Sequence, residues 1–430
     1  MPIDGSGRLR RREFLVAALT AAVATGCGGG DAHVLTARGV SREAPAKDAP
    51  VGEVVQGLTA FGHALYTAGG DAARNTVLSP LSIACAFAMA RAGAAGAAAP
   101  ALDRVFGFPA AGPHTAFNAL TRQIVTVEGP PPPPDRRAER DAREQSADPV
   151  VGIANGLFVQ QGLAVGQEFL RVLAAQYGAG AATVDFGGDA AAAINAWVDQ
   201  QTAGRVDRLF DRLDQATRLV IANAVYLKAD WKRPFAEIPA EEGAVFTRAG
   251  GSTVRTDLMR LDAELMYADG PGWQAVELPY AKSDLVMWVL VPRAGGSPAG
   301  LLTPESLGRA AAGLRPRGVG LALPPWDFAT GLDLAAPLRR LGLGVVFDRP
   351  DFSGIAEGAR IGRAVHRANI SVDKWGTEAA AATGLAIPTS ALADRLVEVR
   401  ADRPFAFAIV HRPTSAPLFI GHVADPTATP

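Results

Sequence analysis

The side chains best able to do chemistry are few and far apart. Histidines stand at His33, His63, His114, His366, His411 and His422. An imidazole can serve as a base or a metal ligand near neutral pH, but none of these has a second histidine at ligand spacing. Cys85 sits inside the apolar run "SIACAFAMA", where a small thiol packs as a core residue and not as a nucleophile. HExxH, GxxxxGK[ST] and CxxC motifs are missing, and the nearest approach to a GxSxG elbow, "GGSPAG", has Ala299 in place of the last glycine. A triad assembled from remote positions leaves no local motif. Even so, these absences turn attention from catalysis to binding or inhibition.

One stretch resists reading as ordinary structure. "WGTEAAAATGLAIPTSALADRLVEVRADRPF", from Trp375 to Phe405, has alanines that favour helix, but no apolar face recurs at helical spacing through Thr383, Gly384 and Pro388. The residues before it, "HRANISVD", alternate like a strand. A strand followed by something neither helix nor turn has to be positioned by the rest of the chain.

That chain is 430 residues long and 48% hydrophobic, ample for a sizeable core. A net charge of −1 with both signs interspersed gives no electrostatic footprint for nucleic acid or an anionic membrane. From Val51 to about Phe108 the spacing predicts helices, with Ser79 in "LSPLS" as a helix start. "VVGIANGLFVQ" predicts a strand, "INAWVDQQT" a helix, and "TRLVIANAVYLKADW" a long strand buried on both faces. Alternating runs follow at "AVELPY", "DLVMWVLVP", "VGLALPPWDF", "NISVDKWG", "FAFAIVHRP" and "SAPLFIGHVADP", with a helix at "LAAPLRRLG". Helices first and many strands later predict an α+β fold with large mixed or antiparallel sheets. The proline run and dense charge of residues 129–149 predict an exposed insertion.

The N-terminus reads as an export signal over residues 1–27: arginines, a short apolar stretch from Phe14 to Ala24, then small residues. Arg11-Arg12 resembles the twin-arginine motif, and "ATGC" resembles a bacterial lipoprotein cleavage site with Cys27 bearing the lipid. Residues 28–50, rich in Gly, Ala and charge, read as a flexible tether. The expected location is exported: periplasmic, cell-surface or extracellular, on a lipid tether to a membrane. With Cys27 processed, no structural disulfide remains.

Taken in order, "NTVLSPLSIACAFAMARAGAAG", "NGLFVQQGLAV", "LVIANAVYLKADWKRPF", "WQAVELPY", "LGLGVVFDRPDFSGI", "AVHRANISVDKWGTEAAAAT" and "ADRPFAFAIVHRPTSAPLFIGHVADP" resemble the serpins, over about residues 51–426. The resemblance implies one domain of three sheets and roughly nine helices with an exposed reactive centre loop. It implies a suicide-substrate inhibitor of serine-type endopeptidases, monomeric and without cofactor, in which a cleaved loop enters the main sheet as an extra strand. A non-inhibitory member, acting as a binding protein, substrate or chaperone, and an inhibitor of papain-like cysteine proteases are the alternatives.

On this resemblance the hinge is Gly376, Thr377, Glu378, Ala379, Ala380, Ala381, Ala382 and Thr383. By strand alternation, Thr377, Ala379, Ala381, Thr383, Leu385 and Ile387 would face the core after insertion. Glu378, Ala380, Ala382, Gly384, Ala386 and Pro388 would face the solvent side. Family spacing puts the reactive bond at Ser390–Ala391, with Thr389–Ser390 as the neighbouring alternative. A small residue there suits a shallow primary pocket, elastase-like or subtilisin-like. Ser79, Ser82, Asn223 and His366 stand at the family's polar shutter positions, and Trp231 at the breach where insertion begins. Lys374 and Pro325 replace an acid and a lysine that are ion-paired in the family, so this chain lacks both halves of that pair. Either its gate is looser or another residue compensates.

Overall fold

The computed structural model describes residues 32–131, 147–378 and 396–428. Cys27, Ala379 to Thr383, Thr389, Ser390 and Ala391, and most of the 129–149 insertion, lie outside the described residues.

A seven-stranded sheet runs in the order β1 (His33–Leu35), β4 (Ala181–Val184), β3 (Val150–Gln160), β5 (Leu219–Asp230), β13 (Gly376–Thr377), β12 (Ile361–Val372) and β11 (Trp326–Asp333). The second sheet runs β14 (Val397–Arg400), β10 (Arg315–Leu323), β7 (Thr253–Gly270), β8 (Trp273–Pro279), β9 (Leu285–Pro292), β15 (Phe405–His411), β16 (Ala416–Val423) and β2 (Thr76–Leu78), with β6 (Ile238–Thr247) on β7. The three expected sheets therefore appear as two hydrogen-bonded assemblies, because β7 is shared. Thr253 to Arg260 pair with β6, and Met266 to Gly270 pair with β8. This strand was not among the runs read above. Arg260, Asp262 and Glu264 alternate with buried Leu261, Ala263 and Leu265, a half-exposed pattern that carries little apolar signal.

β5 is buried almost end to end, as its apolar run predicts. The main core lies between the sheets and the helices Val51–Gly69, Pro80–Arg91 and Ala98–Phe106. The helix Ala190–Gln201 packs Ala190, Ile194 and Val198 on the other face of the main sheet, against Phe158, Val220, Ala222 and Ala224. The run "VGLALPPWDF" is two strands and not one. Pro324 and Pro325 cannot donate to a ladder, and they separate β10 in one sheet from β11 in the other.

Residues 28–50 are not a free tether from His33 onward. β1 pairs antiparallel with β4 at the sheet edge. Arg42 donates to Asn118 Oδ1 (3.0 Å), Thr121 Oγ1 (2.6 Å) and Glu128 Oε1 (2.6 Å), and the Glu43 amide donates to the Ala175 carbonyl. Composition suggested a solvated segment, but an unfilled sheet edge and a guanidinium fork with three acceptors hold it down. Near the insertion, the Ala147 amide donates to Asp230 Oδ2 (2.8 Å), and Asp148 pairs with Lys282 (3.2 Å), both beside the top of β5.

Candidate functional site

Parallel strands β5 and β12 are paired from Leu219/Ile361 up to Val225/Ala368. Above that level they part, and β13 fills the gap, with Thr377 opposite both Ala229 and Val372. Two polar clusters mark the two levels.

At the lower level Asn155, Asn223 and His366 form one cross-strand row over β3, β5 and β12. Below it, Ser79 caps the helix Pro80–Arg91, its Oγ accepting from the Ser82 amide, with Pro80 at the first helical position. The Ser79 amide can only donate, and it donates to His366 Nε2 (3.2 Å). His366 Nδ1 therefore carries the proton and donates to Asn223 Oδ1 (2.5 Å). Asn223 Nδ2 in turn donates to Ser82 Oγ (2.5 Å) and to Asn155 Oδ1. Ser79, Ser82, Asn223 and His366 are all buried, and burial holds the imidazole down to about 3, so it is neutral. The structure thus brings these four sequence-predicted residues together. It adds Asn155, which sequence reasoning missed. Its signal was the asparagine in "IANG" facing the asparagine of "IANA" once the strands are set in register.

At the upper level the buried Trp231 ring stacks on Tyr280 at 4.6 Å. Its Nε1 donates to the Asp373 carbonyl (3.0 Å), and its amide donates to the Trp375 carbonyl (2.7 Å). Asp373 Oδ1 accepts from the Trp375 (2.7 Å) and Gly376 (3.1 Å) amides, closing the turn after β12. Thr377 is buried, and its hydroxyl lies 2.6 Å from that of Tyr280. Tyr280 was not singled out from the sequence. Lys374 places its ammonium 5.1 Å from the centre of the Trp375 ring, and no ion pair to it occurs among the described residues.

Glu378 departs from expectation. Alternation does send it to the face opposite Thr377, but that face is not solvent. The chain after the helix Ala190–Gln201 lies over it. Asn369 Nδ2 donates to the Arg205 carbonyl (2.6 Å), and the Arg363 guanidinium sits 5.6 Å over the Phe210 ring. Beneath this cover the Glu378 side chain is 4% exposed, with Arg205 Nε 3.5 Å from Oε2. Cys85 is a buried thiol pushed up to about 12 by burial, in keeping with a packing role.

Residues 56–426 match the serpin (serine protease inhibitor) family. The chain belongs to the serpins. It is 33% identical over 384 residues to an uncharacterised serpin-like protein of Thermococcus kodakarensis, covering 87% of this chain and 86% of that one. It is 32% identical over 374 residues to the leukocyte elastase inhibitor of Bos taurus, covering 82% and 94%. Among solved structures, the thermophilic serpin tengpin in its native state superposes with a TM-score of 0.74 at 22% identity, covering 92% of this chain and 99% of that one. The α+β serpin architecture is the one these matches share.

Proposed function

We propose that this chain inhibits serine-type endopeptidases as a suicide substrate and is not itself an enzyme. The observation that carries this is the main sheet: β5 and β12 are zipped below and already parted above by Gly376 and Thr377. Beyond Glu378, Ala379 to Ala382 are small and can follow Thr377 into the gap. A target serine attacks the Ser390–Ala391 carbonyl, the amide breaks, the serine proton leaves on the Ala391 amine, and Ser390 stays esterified to the protease. The freed loop then inserts. Roughly a dozen inserted residues at about 1 kcal/mol per net hydrogen bond release on the order of ten kcal/mol, so the uninserted fold is metastable.

In this reading Ser79, Ser82, Asn223 and His366 are the shutter that must part, Trp231 and Lys374 belong to the breach, and Gly376 to Thr383 are the hinge. A shallow primary pocket, elastase-like or subtilisin-like, fits the small residues at the bait bond, and a relative named for elastase inhibition supports that class. We further propose export with lipid at Cys27. Since the body begins at His33, the tether is only residues 28–32, and at about 3.4 Å per residue it reaches about 20 Å.

The test is incubation with an elastase-like and a subtilisin-like protease, read on denaturing gels with mass spectrometry. The expected result is a stable covalent complex with cleavage after Ser390. Clean cleavage without a complex would mean a non-inhibitory serpin, and a complex formed only with a papain-like enzyme would move the target class.

A further inference from the structure

Glu378 is the last described residue of the hinge. Its amide donates to the Ser371 carbonyl (2.9 Å), continuing the ladder of β13 by one bond. Its φ is +53°, a left-handed conformation that a residue with a Cβ adopts only when its surroundings enforce it. Three charged groups act electrostatically on its carboxylate. Arg205 comes from the overlying chain, Lys228 from β5 and Asp327 from β11. β12 contributes the uncharged Ser371. Among the described residues Oε2 receives no hydrogen bond, and the Arg205 contact at 3.5 Å is an ion pair without one. This is a buried carboxylate whose ion pair with Arg205 is long and without a hydrogen bond, with Lys228 and the like charge of Asp327 also acting on it, at the last described residue of the hinge.

We propose that Glu378 and Arg205 are positioning residues that set how far the hinge is docked into the main sheet, with protonation of Glu378 holding it docked and ionisation expelling it. They occupy the place in the mechanism left open by the Lys374 and Pro325 substitutions. The neutral acid can rest under the cover, whereas the carboxylate is better solvated outside it. Burial, the largest influence, pushes this carboxyl up to about 7, with Arg205 opposing. The docked state therefore holds a proton that the expelled, hydrated state gives up at about 4.5. Docking is favoured as pH falls and weakens as pH rises through 7, by about tenfold between pH 6 and pH 8.

The inference rests on reading 376–383 as the insertion hinge, so its test is made without any protease. Amide exchange at Thr377 and Glu378, corrected for the intrinsic rate, is measured on the full chain at pH 6, 7 and 8. Protection is expected to fall about tenfold across that range in the wild type. In Glu378→Gln it should stay high and flat. Arg205→Ala should move the midpoint to higher pH, and Arg205→Lys should bring it back. Asp373, whose carboxyl is also raised by burial and which accepts the Trp375 and Gly376 amides, is left intact in every variant. A flat wild-type profile, or a Glu378→Gln profile that tracks the wild type, overturns the proposal. The wild-type profile decides even where a variant does not fold. A chain that docks with this pH dependence but forms no covalent complex would sink the inhibitory reading alone.

Discussion

The two levels of the gap between β5 and β12 solve opposite problems. At the lower level Asn155 Oδ1, both amide atoms of Asn223 and both ring nitrogens of His366 have partners, and the strands are zipped. At the upper level the buried Glu378 carboxylate is under-satisfied, and the strands stand apart around β13. A completed network holds a sheet shut, while an incomplete one leaves a segment poised to move. The difference shows where strain is kept in this fold and where it is locked.

The sharpest way to break the comparison is pH, because the two levels respond with opposite sign. His366 is held at about 3 when folded, against an ordinary 6.5. A depressed folded value means its contribution is fully present above pH 6.5 and is lost as pH falls toward 3, by up to about 5 kcal/mol. Acid should therefore open the row while it docks the hinge. Urea unfolding at pH 7, 5 and 4 is expected to show falling stability, while protection of the hinge amides rises over the same range. Loss of both levels together on acidification would erase the distinction.

Next in size is Thr377→Arg. Thr377 is 2% exposed against the Tyr280 hydroxyl, and a guanidinium forced there costs several kcal/mol. Insertion should stall at its first step. The stoichiometry of inhibition is expected to rise at least tenfold, with cleaved product replacing complex on the gel, while the row keeps its stability. Asn223→Ala strikes the other level. It removes three hydrogen bonds and strands His366 Nδ1–H and Ser82 Oγ in a dry interior, a loss of about 3 kcal/mol. The expected readout is a lower urea midpoint and faster spontaneous conversion to an inserted form.

Legibility of the two levels differed for physical reasons. Ser79, Ser82, Asn223 and His366 were named because they stand at the family's polar positions, and Ser79 was legible besides as a helix start. Asn155 was missed because its role depends on register, which no single strand reveals. At the upper level Trp231 was named from the same resemblance, but Tyr280 was not, since only the fold brings the end of β8 against the hinge. Strand alternation placed Glu378 on the correct face and then failed on what covers that face, a matter of tertiary packing by the chain around Arg205. The 28–50 segment misled in the same manner. Its composition is that of a tether, and its contacts through β1 and Arg42 are those of a structural element.

The smallest effect sharpens the comparison most finely. Tyr280→Phe keeps the ring stacked on Trp231 and deletes one hydroxyl, leaving the Thr377 hydroxyl without that partner. At the lower level, loss of one bond would orphan buried groups on either side. Here the hinge has another course, because Thr377 can leave the sheet and be hydrated, so the cost should be only about 1 kcal/mol. Global stability in urea is expected to change little, while exchange at the Thr377 amide quickens by about fivefold. A drop in global stability as large as that of Asn223→Ala would mean that the hinge is locked as firmly as the row beneath it.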